Sequence, residues 1–164
     1  MGKDSFFIRK TLDINNTNAF FEAEIDMGAY VDALGQSIVR LHSLTASFSD
    51  NTGRSNTVSN EAAAQFQVTT QSQSDIVLPS DRSVVASGKL VVDGNGGVAT
   101  YASQDYDILP QKWTNGYLIG VESLYLGGCA STGFAGDVYV TIIMECTVEK
   151  MSQSAAMALA LSQQ

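Results

Sequence analysis

The amino-acid sequence predicts an all-β fold, an antiparallel β-sandwich of about eight strands followed by a short C-terminal helix or arm. Apolar and polar residues alternate with a period of two in several runs, which is the pattern of half-buried strands. Clusters of glycine, asparagine and serine separate these runs at short intervals, as in a sandwich or barrel. Strands never alternate with long helical segments, so a doubly wound fold is disfavoured. We expect residues 1–149 of the 164 to form the sandwich and residues 150–164 to form the tail.

The strand segments follow one another along the whole sandwich. They are expected at Ser5–Ile14, Phe20–Met27, Gln36–Ser49, Gln65–Thr70, Val84–Val92, Val98–Ala102, Tyr117–Leu126 and Val138–Val148. The third run is partly apolar on both faces, as expected of a central strand that is packed on two sides. The last run has the clearest alternation.

Turn residues predict the connections between these strands. Asp93–Gly97 is the strongest hairpin turn, because glycine and asparagine tolerate positive φ. The other connections are expected as a bend or short helical turn at Gly28–Gly35, a surface loop at Asp50–Asn60, a helical turn at Glu61–Ala64, a linking segment with or without a short helical turn at Pro110–Asn115, and a glycine-rich loop at Gly127–Gly136.

The chain is acidic, with 9 Lys and Arg against 17 Asp and Glu and a net charge of −8. A field of this sign repels phosphate backbones and disfavours strong nucleic-acid binding. Lys3, Arg9 and Lys10 form a weak basic patch, for which a solvated first strand is the simpler explanation. Charged residues make up only 16% of the chain. The many neutral polar residues suit contacts with a neighbour, because no ions must lose their water.

No recognisable catalytic site is present, and we predict that the protein is not an enzyme. His42 is the single histidine and lies mid-strand among apolar residues. That setting indicates a core or inter-strand role rather than a place in a triad or zinc site. Several carboxylates could form an acid pair, but they alternate with apolar residues as the wet faces of strands do. They are Glu22, Glu24, Asp26, Asp105, Asp107, Glu122 and Glu145.

No cofactor and no metal are expected. Asp93–Gly96 is similar to the start of a calcium loop but lacks the later ligands, so a hairpin turn is favoured. An aromatic platform for sugar stacking is conceivable, although strand or interface packing explains these rings as easily. Its members would be Trp113, Tyr101, Tyr106, Tyr117, Tyr125 and Tyr139.

Cys129 and Cys146 lack the spacing of a redox or zinc site. A disulfide between them is conceivable, but two buried free thiols are favoured. The opening Met1–Ser5 is too polar for a signal peptide, and no apolar run is long enough to span a bilayer. These features predict a protein that is made and folded in a cytoplasm.

The tail from Lys150 to Gln164 is rich in Ala, Met, Leu, Ser and Gln, which favour or accept a helix. Its segment after Lys150 is uncharged. The tail could pack on its own domain, or it could be an arm that docks on a neighbouring subunit, since so short a helix is marginal without a partner.

Several stretches together resemble a known family. They are Asp26–Val31, Ile38–His42, Tyr117–Glu122, and the long apolar final strand with the tail after it. In size and strand count the chain resembles the viral single jelly-roll capsid proteins, specifically the coat subunits of prokaryotic viruses. The resemblance implies an eight-stranded jelly roll and a location in the virion. The strongly basic amino-terminal arm of many small coat proteins is missing, which implies weak genome binding or a position outside an inner layer.

Two functions follow as hypotheses. The first is a major capsid subunit that assembles with copies of itself, and with other coat proteins, into a shell. Loss of the tail from Met151 is then expected to weaken assembly. The alternative is a carbohydrate- or ligand-binding β-sandwich module that uses the aromatic residues, Trp113 above all.

Overall fold

Nine strands and one helix make up the part of the chain that the computed structural model describes, which is residues 4–32, 34, 36–94, 100–103 and 111–164. The strands are β1 (Phe6–Asn15), β2 (Phe21–Asp26), β3 (Ser37–Ser49), β4 (Ala62–Thr69), β5 (Val84–Asp93), β6 (Thr100–Ser103), β7 (Gln111–Ile119), β8 (Ser123–Ala130) and β9 (Val138–Lys150). The helix is α1 (Gln153–Ser162). Within these residues, no helix combines the length and apolar character that a membrane crossing requires.

The strands form two antiparallel sheets whose order mixes early and late segments of the chain. Sheet A has the order β1-β9-β3-β7, and sheet B has the order β2-β8-β4-β5-β6. The chain passes repeatedly from one sheet to the other, and the last strand lies between the first and the third. This is the Greek-key arrangement of a jelly roll. The predicted antiparallel sandwich is confirmed, and the strand predicted at Val98–Ala102 overlaps β6, a strand of four residues at the edge of sheet B.

The core lies between the sheets, where one face of each strand is apolar. Alternate residues of β9 are fully buried there, because successive side chains of a strand point to opposite faces. They are Val138, Val140, Ile142, Met144 and Cys146. From sheet B, Phe66 meets this layer and packs edge-on against Phe48, with ring centroids 6.0 Å apart. Burying each large side chain of this kind stabilises the fold by about 1.5–3 kcal/mol.

One end of the sandwich is closed by two loops that pair with each other. Val58 and Phe134 form an antiparallel bridge, and the backbone N–H of Ala135 donates to the carbonyl of Thr57 at 2.9 Å. The polar segment expected as a surface loop is therefore tied to residues 131–137. We call these paired loops, residues 50–60 and 131–137, the loop end.

Three sequence predictions for single segments are wrong. Glu61–Ala64 is not a helical turn, because Ala62 to Ala64 alternate between core and surface at the start of β4. Tyr117–Leu126 is not one strand, because the chain leaves sheet A at residue 120 and enters sheet B as β8. The glycine-rich segment does not begin as a loop, since residues 127–130 complete β8.

Close packing explains why glycine occurs inside β8. A Cβ at Gly127 would lie 2.5 Å from the ring of Phe20, so only glycine lets that ring cover the strand. A fourth prediction, the linking segment at Pro110–Asn115, is wrong too, because Gln111 to Asn115 belong to β7. Residues 95–99 of the hairpin turn, and residue 110, lie outside the described residues.

Gly133→Ala should lower the free energy of unfolding. A Cβ at this position would lie 2.0 Å from the backbone oxygen of Glu61, which cannot swing aside as a flexible side chain could. Overpacking of this kind costs about 1–3 kcal/mol. Gly136→Ala, in the same loop, has nothing within 4 Å of the added carbon and should be neutral. Urea denaturation compares the two variants, and equal stabilities would contradict the assigned loop packing.

Candidate functional surfaces

The C-terminal helix α1 packs on its own sandwich. Its N-cap is Ser152, whose hydroxyl accepts a hydrogen bond from the backbone N–H of Ala155 at 3.3 Å. Just before the helix, the N–H of Met151 donates to the carbonyl of Gln36 at 3.0 Å. Ala156 is fully buried, and the side chain of Leu159 lies over Gly120, where a Cβ would come within 2.9 Å of it. The helix therefore lies close against the turn that joins β7 to β8.

A single buried amide fixes the far end of α1. The side-chain oxygen of Gln163 accepts from the N–H of Gly120 at 2.8 Å, and its side-chain nitrogen donates to the carbonyl of Leu118 at 2.7 Å. These two backbone groups lie where β7 leaves sheet A. The Gln163 side chain therefore makes the hydrogen bonds that a neighbouring strand would otherwise make. The pKa of Tyr117 is raised by burial beneath this contact, partly offset by a hydrogen bond from Gln163.

The outer face of α1 is apolar and uncharged. Met157 is 43% exposed and Leu161, one turn later, is 70% exposed. Ala158 between them is also exposed, and no residue from Met151 to Gln164 carries a charged side chain. On a chain of net charge −8, this face is a place where two copies can meet without bringing carboxylates together. Two predictions were made for the tail. In the single chain it packs on its own domain, and its docking on a neighbouring subunit stays a prediction.

Arg40 joins three strands on the outer face of sheet A. Its guanidinium binds the Glu149 carboxylate in a bidentate pair, at 2.8 and 2.9 Å, and also donates to the carbonyl of Asn115. The hydrogen bond to Glu149 raises the pKa of Arg40. Gly116 has φ of +78°, and a Cβ there would overlap the Arg40 side chain. Both charged groups are partly exposed, so the pair mainly fixes geometry rather than adding much stability.

His42 lies beside this pair in a shallow surface groove. Its Nε2 is 2.9 Å from the hydroxyl of Thr147 on β9, the neighbouring strand. Glu145, Glu149 and Ser5 also line the groove. The predicted inter-strand role of His42 agrees with this contact.

The predicted carboxylates are dispersed rather than paired. Glu22 accepts from the Ser72 hydroxyl at 2.6 Å and the Gln73 N–H at 2.9 Å, and so ties down the loop between β4 and β5. Glu24 bonds Ser123, and Asp26 accepts from the Gly28 N–H. Glu145 and Glu122 lie at separate clefts. Asp105 and Asp107 lie outside the described residues.

The described side chains offer no cluster of three or more His, Cys, Asp or Glu residues arranged to hold a metal ion. Cys129 and Cys146 are both free and buried, as favoured by the sequence, and they lie in different sheets. Burial raises the pKa of the Cys146 thiol to about 12, so it stays protonated and unreactive at neutral pH.

The loop end contains an acidic cleft that sequence reasoning missed. It has a volume of about 390 Å³ and is lined by Asp50, Asn51, Asn56, Thr57, Ala135, Gly136, Asp137 and Tyr139. Asp13 on β1 lies opposite Tyr139 on β9 and its carboxyl group contacts that of Asp137. Partial desolvation, then the charge of Asp13 and its hydrogen bond, raise the pKa of Asp137. The charge of Asp13 is also the main cause of a raised pKa at Tyr139.

Aromatic residues do not form one platform. Trp113 and Tyr117 tilt against each other on β7 with centroids 5.8 Å apart, and both pack partly on the core. Tyr125 lies in sheet B, and Tyr139 borders the acidic cleft. Tyr106 and the side chain of Tyr101 lie outside the described part. Of the basic patch, Arg9 sits 5.5 Å over the ring of Phe7, and Lys3 is not described.

No protein-family model matches the chain, and no curated protein matches it. Among solved structures it is similar to VP1 of Merkel cell polyomavirus as an unassembled pentamer, with 10% identity, a TM-score of 0.44, and 92% of this chain and 98% of that chain covered. It is also similar to VP1 of Trichodysplasia spinulosa-associated polyomavirus in complex with GM1 oligosaccharide, at 12% identity, a TM-score of 0.38, and 92% and 97% coverage. For Desmodium yellow mottle tymovirus the values are 10%, 0.29, and 93% of both chains.

Gln163→Ala should release the end of α1 and leave the Gly120 N–H and the Leu118 carbonyl without their partner. Leaving a buried polar group unsatisfied costs about 1–3 kcal/mol. Hydrogen exchange at the Gly120 amide should therefore accelerate, and urea denaturation should show the loss. Gln164→Ala removes an exposed amide from the next position and is the matched control. Unchanged exchange at Gly120 in the Gln163 variant would show that the amide does not anchor the helix.

The raised pKa of Asp137 predicts in which direction the stability of the fold changes with pH. A carboxyl group with a higher pKa in the folded state binds more protons when folded, so its contribution to stability is lost as pH rises through that raised value. Asp137→Asn should flatten this decline at pH values above the ordinary pKa of an aspartate, by a small amount because Asp137 is exposed to solvent. Glu122→Gln removes a carboxylate at the opposite end and should retain the decline. Thermal denaturation at a series of pH values tests this prediction. Melting temperatures that fall equally with pH in Asp137→Asn and in the unmodified protein would contradict the effect assigned to Asp137.

Proposed function

We propose that this chain is a viral major capsid subunit, of a prokaryotic virus, whose copies assemble with one another and with other coat proteins into the shell of a virion. It would be made in the host cytoplasm. The observation that carries the proposal is the outer face of α1, where Met157 and Leu161 are exposed on a helix that carries no charge. Apolar side chains that are exposed next to one another can form an interaction site.

The way α1 is held supports this role. Gln163 and Leu159 fix the helix against the β7–β8 turn, so its outer face is presented on a rigid support rather than on a loose tail. Pre-ordered surfaces lose less conformational freedom on binding, which favours weak contacts that are repeated many times. A jelly-roll sandwich suits such repetition, because its sheets need no further partner to bury a core.

The charge distribution supports assembly outside the genome rather than around it. The chain has a net charge of −8, and the Arg9 side chain of the small basic patch already packs on Phe7. Phosphate backbones would be repelled by most of the surface. Strong nucleic-acid binding is therefore not part of the proposal.

The alternative function is a carbohydrate-binding module. Its candidate sugar site is the loop end rather than the aromatic residues considered in the sequence analysis. Trp113 and Tyr117 pack against each other, whereas Asn51 and the ring of Tyr139 line the acidic cleft, where a ligand could contact them. Its carboxylates would select neutral sugars over acidic ones. Binding of neutral glycans that is lost in Asn51→Ala would favour this alternative.

Negative-stain electron microscopy at several protein and salt concentrations tests the coat function. We expect closed shells, sheets or tubes. We expect the double variant Met157→Gln/Leu161→Gln to raise the protein concentration needed for assembly about tenfold or more, because two apolar side chains are lost from each contact between subunits. Glutamine preserves the helix. Gln153→Ala, on the same exposed helix, is the control. Normal assembly by the double variant would exclude this face as a contact, and a protein that remains monomeric under all conditions would refute the coat function.

A further inference from the structure

The first strand forms one edge of sheet A, and no other strand of the described residues pairs with its outer side. β1 pairs with β9 on one side and ends the strand order on the other. It is ten residues long, and a strand edge of that length presents backbone donors and acceptors to another strand. Sheets commonly gain a strand from a partner at such an edge.

The outward side chains of β1 form a symmetric pattern. Phe7, Arg9, Thr11 and Asp13 share the outer face, and the first three are exposed. Arg9 and Asp13 lie at equal distances on either side of Thr11 and carry opposite charges. A strand read in the reverse direction about Thr11 therefore presents the opposite charge at each of these two positions.

We propose that two copies of this chain pair antiparallel along β1 about a two-fold axis at Thr11, so that Arg9 of each faces Asp13 of the partner subunit. The two four-stranded sheets then become one continuous sheet across the contact. The contact is the same on both subunits and closes on itself, so it gives a dimer rather than an open fibre. It rests on the proposed function by naming one of the contacts through which copies assemble.

Charge selects this register over its neighbours. A two-fold pairing centred on Lys10 would place that lysine opposite itself, and like charges in direct opposition destabilise a strand pair. Centring on Leu12 would place Asp13 opposite Thr11 and leave the charges unmatched. Of these registers, the one centred on Thr11 brings opposite charges together directly, and it does so twice.

Among the residues that the structure describes, neither Arg9 nor Asp13 forms an ion pair with an oppositely charged side chain. Asp13 instead contacts the carboxyl group of Asp137, and this neighbour adds to the local negative charge rather than neutralising it. A partner's arginine would relieve it.

Cysteine cross-linking tests the register. Thr11→Cys should form a disulfide-linked dimer under mild oxidation, because directly opposed residues of an antiparallel pair have Cα atoms about 4.5–5.5 Å apart, within disulfide range. Ser47→Cys is the matched control. Ser47 is exposed in the same cross-strand row, through Thr141, but two strands inward from the edge. The native cysteines are buried and should not interfere. A Thr11→Cys protein that stays monomeric, or a Ser47→Cys protein that links equally well, would overturn the proposal.

Charge reversal tests the ion pairs. Arg9→Asp and Asp13→Arg should each weaken dimerisation about tenfold or more in sedimentation equilibrium, since two like-charge pairs replace two attractive ones. The double variant Arg9→Asp/Asp13→Arg should regain the original affinity, because the two-fold contact stays complementary. Arg82→Asp, an exposed arginine on the loop between β4 and β5, should have no effect. Failure of the double variant to recover would overturn the pairing, provided that circular dichroism shows it folded.

The two proposals fail separately. Shells that form in electron microscopy without cross-linking through Thr11→Cys would refute the edge pairing and leave the coat function standing. A cross-linked dimer that never builds shells would support the edge pairing and count against the coat function.

Discussion

The insertion of β9 between β1 and β3 is the constraint on which the rest of the structure depends. Among the described strands, β9 is the one that holds β1 in sheet A, and β3 has its longest ladder with the same strand. The pairing joins Phe6 to Cys146, positions that are far apart in the sequence. Closing so large a loop has a cost in chain entropy, and the apolar residues that β9 adds to the core offset it.

The two proposed contact surfaces, the outer face of α1 and the edge of β1, are both positioned by β9. α1 begins directly after β9 and is brought over the β7–β8 turn, where Gln163 can reach the groups that the end of β7 leaves without a strand partner. On the other side of β9, β1 presents its free edge and its outward charges. The charge-free helix and the charged strand edge are therefore attached to one rigid element, which fixes their relative placement.

The sequence predicted the elements whose patterns are local. The alternation in β3 and β9 is strong because one face of each strand packs in the core, and the predicted sandwich follows from it. It could not predict the break between β7 and β8, because the residues around Gly120 are apolar enough to continue a strand, and the helix residue that packs there, Leu159, is distant in the sequence. It also missed the meeting of Asp13 with Asp137, which depends on register, and the role of Gln163, since an amide in a polar tail carries no local signal.

The separation of β1 and β9 along the chain also determines when the fold can be completed. During synthesis β1 emerges first and has no place in a sheet until the segment at 138–150 has left the ribosome. Long-range strand pairing of this kind forms late and slowly. A nascent or truncated chain would therefore display neither an ordered first edge nor a seated C-terminal helix. In the proposed assembly, incomplete chains would then be excluded by the topology itself, without a separate proofreading step.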